Sequence, residues 1–480
     1  MLRQIEGSKA VAEAVRLARP EVICAYPISP QTHIVEELSK LVKEGSLAGC
    51  EYLNVDSEFA AMSGVIGASA AGARAYTATA SQGLLFMAEA VYNASGLGLP
   101  IVMTIANRAI GAPINIWNDH SDSMSQRDCG WIRLFAEDNQ EVVDLHVQAF
   151  RLAEAVSLPV MVCMDGFVLT HAVEAVDLPS QEQVDAFLPP FEPRQVLDPA
   201  EPVSIGAMVG PEAFTEVRYL AHLRQLQALT QIPIIATEYS ELVGRSSGGL
   251  VSEYRTEGAE LIVVALGSVL GTLKDAVDEL SEAGHRIGVL AIKSFRPFPL
   301  DAVRAALAEA KVVVVLERAL AVGIGGIVSE NVRTALAGLP MVTHTVIAGL
   351  GGRPIMKQSL IEMVGRVENG ELGPLEFLDL RTELVDRQVT RFRSQQRSGP
   401  AAENILRDIG SGAGGGNTTT GGPRRPIACA FIRWGPSPSA TACCRRRTAV
   451  CNPIQTERTQ SPAGTARVRD AARPWVPAMR

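Results

Sequence analysis

Between residue 7 and about residue 180, stretches with helical spacing alternate with short apolar runs in unbroken succession. "SKAVAEAVRLA" leads to "VICAYPI", "QTHIVEELSKLVKEG" to the helix that opens at Glu58, and then come "RAYTATA", "LLFMAEAVYNASG", "PIVMTIA", "VVDLHVQAFRLAEAV" and "LPVMVCMDGF". Strands joined through helices in this way are expected to run parallel, in a sheet covered by helices on both faces. Ligands of such sheets sit beyond the carboxyl ends of the strands. The loops that matter are therefore "PISPQT", "TASQG", "NRAIGAPINIWNDHSDSMSQRD" and "MDGF".

This pattern defines a first domain over residues 1–190. Residues 191–255 are richer in Pro and less regular, although "EVRYLAHLRQLQALT" has helical spacing, and they read as a connector. A second alternating series, "ELIVVALGS", "LKDAVDELSEAG", "RIGVLAI", "DAVRAALAEA", "KVVVVLER" and "MVTHTVI", defines a further α/β domain over residues 256–390. The halves share no tandem repeat. Residues 391–480 pass into "GSGAGGGNTTTGGPRRP" and then into text without periodicity, and no Lys follows Lys357. Such low-complexity text predicts a disordered tail. Its Cys429, Cys443, Cys444 and Cys451 would otherwise be candidate metal ligands, but they lack the usual ligand spacings.

A net charge of −8 over 480 residues, without a basic stripe in the first 390, argues against nucleic acid as a partner. The start lacks a basic head and apolar leader core; Val11, Ala14, Val15 and Ala18 fit one face of an amphipathic helix instead. No run approaches the roughly 20 apolar residues of a bilayer span, so the expectation is a cytoplasmic protein with no membrane partner. Cys24, Cys50, Cys129 and Cys163 lie far apart without CxxC spacing, which predicts reduced, mostly buried thiols. No iron–sulfur or zinc site of its own is expected, and no metal ligand is assigned.

Three polar residues emerge at strand ends. In "YPISPQT", Pro27 and Pro30 stiffen the loop and project the hydroxyl of Ser29; the alternative is a plain turn capped by Gln31 or Thr32. Glu58 opens a helix of small residues, Ala60, Ala61, Ser63, Gly64, Gly67 and Ala68, with nothing basic after it until Arg74. It could be an acid in a first helical turn, favoured by the macrodipole. The small residues, however, permit close backbone packing, which would desolvate the carboxylate and let it share a proton with a heterocyclic nitrogen. Arg108 follows "PIVMTIAN" directly, and its forked donors suit a small carboxylate. The competing reading pairs it with Asp119 or Asp122.

"AYPISPQT", "SEFAAMSGVIGASAAGARAYTATASQGLLFMAEAVY", "LPIVMTIANRAIG", "NIWNDHSDSMSQRD" and "VMVCMDGF", followed by "SFRPFP" and "GLGGRP", resemble the alpha subunit of pyruvate:ferredoxin oxidoreductase and its 2-oxoacid relatives. The resemblance covers residues 1 to about 390, with several long motifs in order. It implies a thiamine diphosphate pyrimidine-binding domain followed by a transketolase C-terminal-like α/β domain. By motif, Glu58 matches the catalytic acid that binds the aminopyrimidine of the cofactor and promotes its imino tautomer. Arg108 matches the clamp on the oxoacid carboxylate. Ser29 stands where the family usually has Thr, also a substrate contact. Asn115 and "NDHSD" match a segment near the active site without individual roles.

A Gly-Asp-Gly motif for the diphosphate-bound metal is missing, since "MDGF" around Asp165 lacks the first glycine. The resemblance therefore implies a cofactor shared with a partner subunit, with Mg2+ and [4Fe-4S] clusters on partners. Those partners are beta, gamma and delta subunits, with ferredoxin or flavodoxin as electron acceptor and pyruvate and coenzyme A as substrates. "VGIGGIVSE" lacks the spacing of a dinucleotide fingerprint and reads as a tight strand-to-helix turn. The expected activity is coenzyme A-dependent oxidative decarboxylation of pyruvate. Branched-chain, aryl or 2-oxoglutarate specificity, a noncatalytic assembly subunit, or an unrelated α/β enzyme complete in one chain are the alternatives.

Overall fold

The computed structural model describes residues 2–394 and 401–410. The chain divides into a unit Met1–Arg407 and a second, Asp408–Arg480. The expected tail begins at residue 391, and beyond residue 410, where its four cysteines fall, it lies outside the described residues. The first unit carries strands β1 (Leu2–Glu6), β2 (Val22–Ala25), β3 (Glu51–Asn54), β4 (Ala75–Thr79), β5 (Val102–Asn107), β6 (Ile132–Phe135), β7 (Val160–Asp165) and β8 (Val173–Asp177). Then follow β9 (Val251–Tyr254), β10 (Leu261–Ala265), β11 (Ile287–Ile292), β12 (Ser294–Arg296), β13 (Val312–Glu317), β14 (Val342–Ile347) and β15 (Leu375–Phe377).

The first large sheet has the order β12-β6-β7-β5-β4-β2-β3. Strands β2 to β7 within it pair parallel, in agreement with the succession of apolar runs and helices. Its central strands β4, β5 and β7 are buried along their whole length, as strands covered on both faces must be. The edge is different. β12, from the second half of the sequence, adds antiparallel to β6, with Ser294 opposite Leu134. The start of "SFRPFP", quoted above as a family motif, thus completes the first sheet. The second sheet has the order β15-β14-β13-β10-β11-β9, parallel except for β9. β1 and β8 form a separate antiparallel pair.

The two sheets share an apolar layer. Met103, Ile105, Trp131 and Phe135 from the first half belong to one buried cluster with Leu290, Ile292, Phe295, Val313 and Val315 from the second. Phe135 and Phe295 meet edge to face at 6.3 Å, an arrangement worth about 1 kcal/mol beyond the area buried. Charge reinforces the joint: buried Lys293 contacts Glu141 at 2.7 Å and Glu137 at 3.2 Å.

Residues 191–255 contain a helix, Phe214–Val243, longer than its sequence suggests because it continues through Pro233. Packing overrides the lost backbone bond. Ala228, Ile232, Ile235 and Tyr239 enter the core of the first half, and Tyr239 Oη donates to Asp144 at 2.8 Å. Cys24, Cys50, Cys129 and Cys163 are buried and unpaired. Among the described residues no helix is long and apolar enough to cross a membrane.

Asp165, the acid of "MDGF", closes the joint between the halves. It is buried at the carboxyl end of β7, where it accepts from Arg318 Nη1 at 2.7 Å, His120 Nε2 at 2.6 Å and the backbone N–H of Ser268 at 3.0 Å. Although burial opposes ionisation, the Arg318 and His120 charges and these donors hold its carboxyl well below the usual carboxylate range. A carboxylate depressed in this way stabilises the fold above about pH 3.9, and the contribution fades as pH falls toward its folded value. Asp165→Asn leaves Arg318 buried without its counter-ion and should cost about 3 kcal/mol at pH 7. Urea unfolding of the full chain should show that difference, and it should narrow below about pH 4; a pH-independent difference would contradict the assignment.

Candidate active site

The carboxyl edge of the first sheet gathers the loops after β2, β3, β4 and β5. Glu58 is the first residue of the helix Glu58–Ala70, whose N-cap Ser57 accepts the Ala60 N–H at 3.2 Å. It does sit in the first turn, as the macrodipole favours. Its surroundings go further than a cap requires. The residue is 8% exposed, and no hydrogen bond or ion pair from the described residues reaches its carboxylate. Arg74, the nearest basic residue ahead in sequence, is bound to Glu154 at 2.6 Å.

The space beside Glu58 is kept by Gly83. A Cβ at that position would lie 2.7 Å from Glu58 Oε1 and 2.5 Å from Thr79 Oγ1, so only glycine fits without displacing the acid. Thr79 Oγ1 is itself buried without a hydrogen-bond partner. Deeper along the helix, Gly64 approaches the Cys24 side chain on β2, where a Cβ would come within 2.8 Å of Sγ. Here the run of small residues serves close packing against the sheet.

Arg108 leaves β5 into the same edge and is 7% exposed. Its guanidinium donates from Nη1 to the Ser29 carbonyl at 2.9 Å and from Nε to the Asn115 carbonyl at 3.2 Å. Neither Asp119 nor Asp122 forms an ion pair with it; Asp122 instead takes the backbone N–H of Arg108 at 2.9 Å. Two neutral carbonyls aim the guanidinium and leave its charge available to an anion. Burial lowers its pKa, with the Asp122 charge opposing that shift.

Ser29 thus touches Arg108 through its carbonyl, and its side chain lies in the exposed part of the loop. Neither Gln31 nor Thr32 caps the helix Thr32–Lys43 through a side chain. Gln31 is instead buried and donates to the Ala78 carbonyl at 2.9 Å, which ties the Ser29 loop to β4. Asp119 accepts the Gly351 N–H at 3.0 Å, and His120 is held by Asp165.

Asp122, offered by the sequence as a possible ion-pair partner and as the end of "NDHSD" without a role of its own, organises this edge. Its buried carboxylate accepts N–H groups from Ser81 at 2.9 Å, Arg108 at 2.9 Å, Ser123 at 2.7 Å and the Asn107 side chain at 2.8 Å. The loop beside Glu58 and the loop bearing Arg108 therefore hang on one carboxylate. Ser81 adopts φ 49°, a strained backbone for a non-glycine residue, and its hydroxyl donates to the Ala109 carbonyl at 2.6 Å. Contacts run from Glu58 through Gly83, Ser81 and Asp122 to Arg108 and Ser29. Glu58 itself touches neither of the other two sequence candidates.

The glycine-rich "VGIGGIVSE" turn is closed from inside. Glu317 accepts the N–H groups of Ile327, Val328 and Ser329, and so fills the helix N-terminus with a carboxylate of the chain itself. Gly323 and Gly325 take positive φ in the tight turn expected there.

Comparison with known proteins shows the family of the chain. Residues 13–236 match the family model for the thiamine diphosphate-binding domain of pyruvate flavodoxin/ferredoxin oxidoreductase, and residues 259–360 match pyruvate:ferredoxin oxidoreductase core domain II. The class is thus a thiamine-dependent 2-oxoacid:ferredoxin oxidoreductase subunit. The chain is 46% identical over 392 residues to pyruvate synthase subunit PorA of Methanosarcina barkeri, covering 79% of this chain and 97% of that one. It is 44% identical to PorA of Thermotoga maritima over 379 residues, covering 77% and 95% of the two chains. With ketoisovalerate oxidoreductase subunit VorA of Pyrococcus horikoshii it shares 38% identity over 375 residues, 77% and 95% of the two chains. The solved 2-oxoglutarate:ferredoxin oxidoreductase from Magnetococcus marinus shares the fold, with a TM-score of 0.60 at 20% identity; the match covers 76% of this chain and 65% of that one, just under two thirds. The chain belongs to the pyruvate:ferredoxin oxidoreductase family, as an alpha subunit of the PorA type.

Burial pushes the Asp122 carboxyl up to about 6, against the pull of its four N–H donors. Above that pH the ionised group can serve every donor; below it a proton occupies one oxygen and the hold on Ser81 or Arg108 loosens. Activity of the assembled enzyme should show an acid limb centred near pH 6, and Asp122→Asn should be slower throughout and lack that limb. A wild-type pH profile in the variant would contradict this role.

Proposed function

We propose that this chain works with beta, gamma and delta subunits to carry out coenzyme A-dependent oxidative decarboxylation of pyruvate to acetyl-coenzyme A and carbon dioxide. Electrons leave through [4Fe-4S] clusters on the partners to ferredoxin or flavodoxin. The observation that carries the reading is the Glu58 carboxylate: buried, unpartnered within the described residues, and packed against a glycine whose missing Cβ gives the acid its room.

These features fit the aminopyrimidine end of thiamine diphosphate. When bound, the cofactor supplies the carbon nucleophile and electron sink that decarboxylation requires. Glu58 offers the carboxylate oxygen that can exchange a proton with a ring nitrogen. Gly83 gives the acid its room, and the unsatisfied Thr79 hydroxyl lies against the same glycine. The residues do not fit a metal-held diphosphate. Asp165, the acid of the only sequence resembling the metal motif, is committed to Arg318, His120 and Ser268. Mg2+ and the diphosphate anchor are therefore assigned to the beta subunit. Arg108 orients the pyruvate carboxylate through the edge of its guanidinium left over by Ser29 and Asn115, and the Ser29 hydroxyl contacts the same substrate.

In the co-expressed complex, Glu58→Ala should lower pyruvate-dependent ferredoxin reduction by about 100-fold or more while the subunits still co-purify. Near-normal turnover in that complex would rule out the role given to Glu58. A panel of pyruvate, 2-oxoisovalerate, arylpyruvates and 2-oxoglutarate on the wild-type complex should favour pyruvate, whereas preference for another acid would move the assignment within the family.

A further inference from the structure

We propose that Asn115 is a positioning residue through which the second sheet sets the place of Arg108, so that the affinity for the oxoacid carboxylate depends on a contact between the two halves of the chain. The inference rests on the reading of Arg108 as the carboxylate clamp. One residue holds three bonds. Its backbone carbonyl accepts from Arg108 Nε at 3.2 Å, its Nδ2 donates to the Gly351 carbonyl at 3.1 Å, and its Oδ1 accepts the Trp117 N–H at 2.7 Å.

Gly351 and Gly352 belong to "GLGGRP", the turn that follows β14 at the carboxyl end of the second sheet. They take φ 59° and 79°, backbone that L side chains rarely adopt. The space is equally restrictive. A Cβ on Gly351 would lie 2.6 Å from Asn115 Nδ2, and one on Gly352 would lie 2.4 Å from Trp117 Cβ. The Gly351 N–H also donates to Asp119 Oδ2 at 3.0 Å, so the turn grips the Arg108 loop from both sides of Trp117.

The loop needs that grip. Ile114, Ile116 and Trp117 are exposed, and from its own half the segment is held by the bond from the Ala109 N–H to the Trp117 carbonyl at 3.0 Å and by the Trp117 ring against Phe167 at 5.0 Å. Withdrawing the Gly351 turn would leave the Asn115 carbonyl, and with it one of the two carbonyls that aim the guanidinium, without an anchor in the second sheet. A guanidinium tilted off its target loses a charge-assisted bond to the substrate in the bound state and hence raises KM.

Asn115→Ser separates the two bonds of the side chain, because a serine hydroxyl can still accept the Trp117 N–H but is too short to reach Gly351. Gly351→Ala attacks the same contact from the other half. In the assembled complex each variant should raise KM for pyruvate about tenfold, the worth of one hydrogen bond to a charged group, with kcat within about threefold of wild type. KM for coenzyme A and the affinity for thiamine diphosphate should not move. The double variant should be no worse than the poorer single one, since both remove one contact. Arg108→Lys serves as the control. If it raises KM for pyruvate while Asn115→Ser and Gly351→Ala do not, the inference is wrong and the clamp stands. If Arg108→Lys itself leaves KM unchanged, the clamp reading fails. If KM for pyruvate and for coenzyme A rise together and kcat falls in both variants, the contact is merely structural and the inference is again overturned.

Discussion

The buried carboxylate of Asp122 is the constraint on which the carboxyl edge depends. Four N–H groups from the end of β5 and the segments after β4 and β5 need an acceptor where water cannot provide one, and leaving any of them unpaired would cost about 1–3 kcal/mol. Meeting that demand with one side chain fixes Ser81 in a left-handed backbone and brings Gly83 against Glu58. It also fixes the origin of the Arg108 side chain. The site is therefore a rigid frame in which the groups able to meet a ligand, Glu58 and Arg108, are the ones the frame leaves unpaired or aims with neutral carbonyls.

A second set of contacts makes the two halves one machine. β12 lends a strand to the first sheet, Lys293 lends a cation to Glu137 and Glu141, and Arg318 answers Asp165. Asp165 shows how a sequence feature can carry an unexpected use. An acid at the carboxyl end of a parallel strand is a natural place for a metal or ligand, yet here its oxygens are taken by Arg318, His120 and Ser268. Glu317 does the same at the glycine-rich turn, where the chain supplies its own anion to a helix N-terminus. Both cases leave the edge around Glu58 and Arg108 as the place open to chemistry.

The buried parallel strands were legible in sequence because β4, β5 and β7 are continuous apolar runs bounded by helical spacing. β3 was not, since its residues lie at an exposed edge, and β12 was not, since its partner Leu134 is 160 residues away. The emergence of Ser29 and Arg108 at strand ends followed from the alternation alone; their contact, through the backbone carbonyl of Ser29, did not. Asp122 lies in "NDHSD", to which the sequence gives no individual role, and its work depends on donors from Ser81 and Arg108 that only tertiary structure brings together. Gly83 was visible in "TASQG", but nothing local showed that its missing Cβ makes room for Glu58. The length of the helix Phe214–Val243 was concealed by Pro233, whose cost is outweighed by burial of Ile232, Ile235 and Tyr239.

The central claim is that Glu58 is held unpaired by its own chain so that it can meet the thiamine ring. The most direct measurement is the structure of the assembled complex with thiamine diphosphate bound. The account predicts the Glu58 carboxylate within hydrogen-bonding distance of a ring nitrogen of the aminopyrimidine, with the diphosphate held by a partner subunit. A Glu58 side chain paired instead with a residue of the partner, or turned to solvent while the cofactor binds elsewhere, would contradict it.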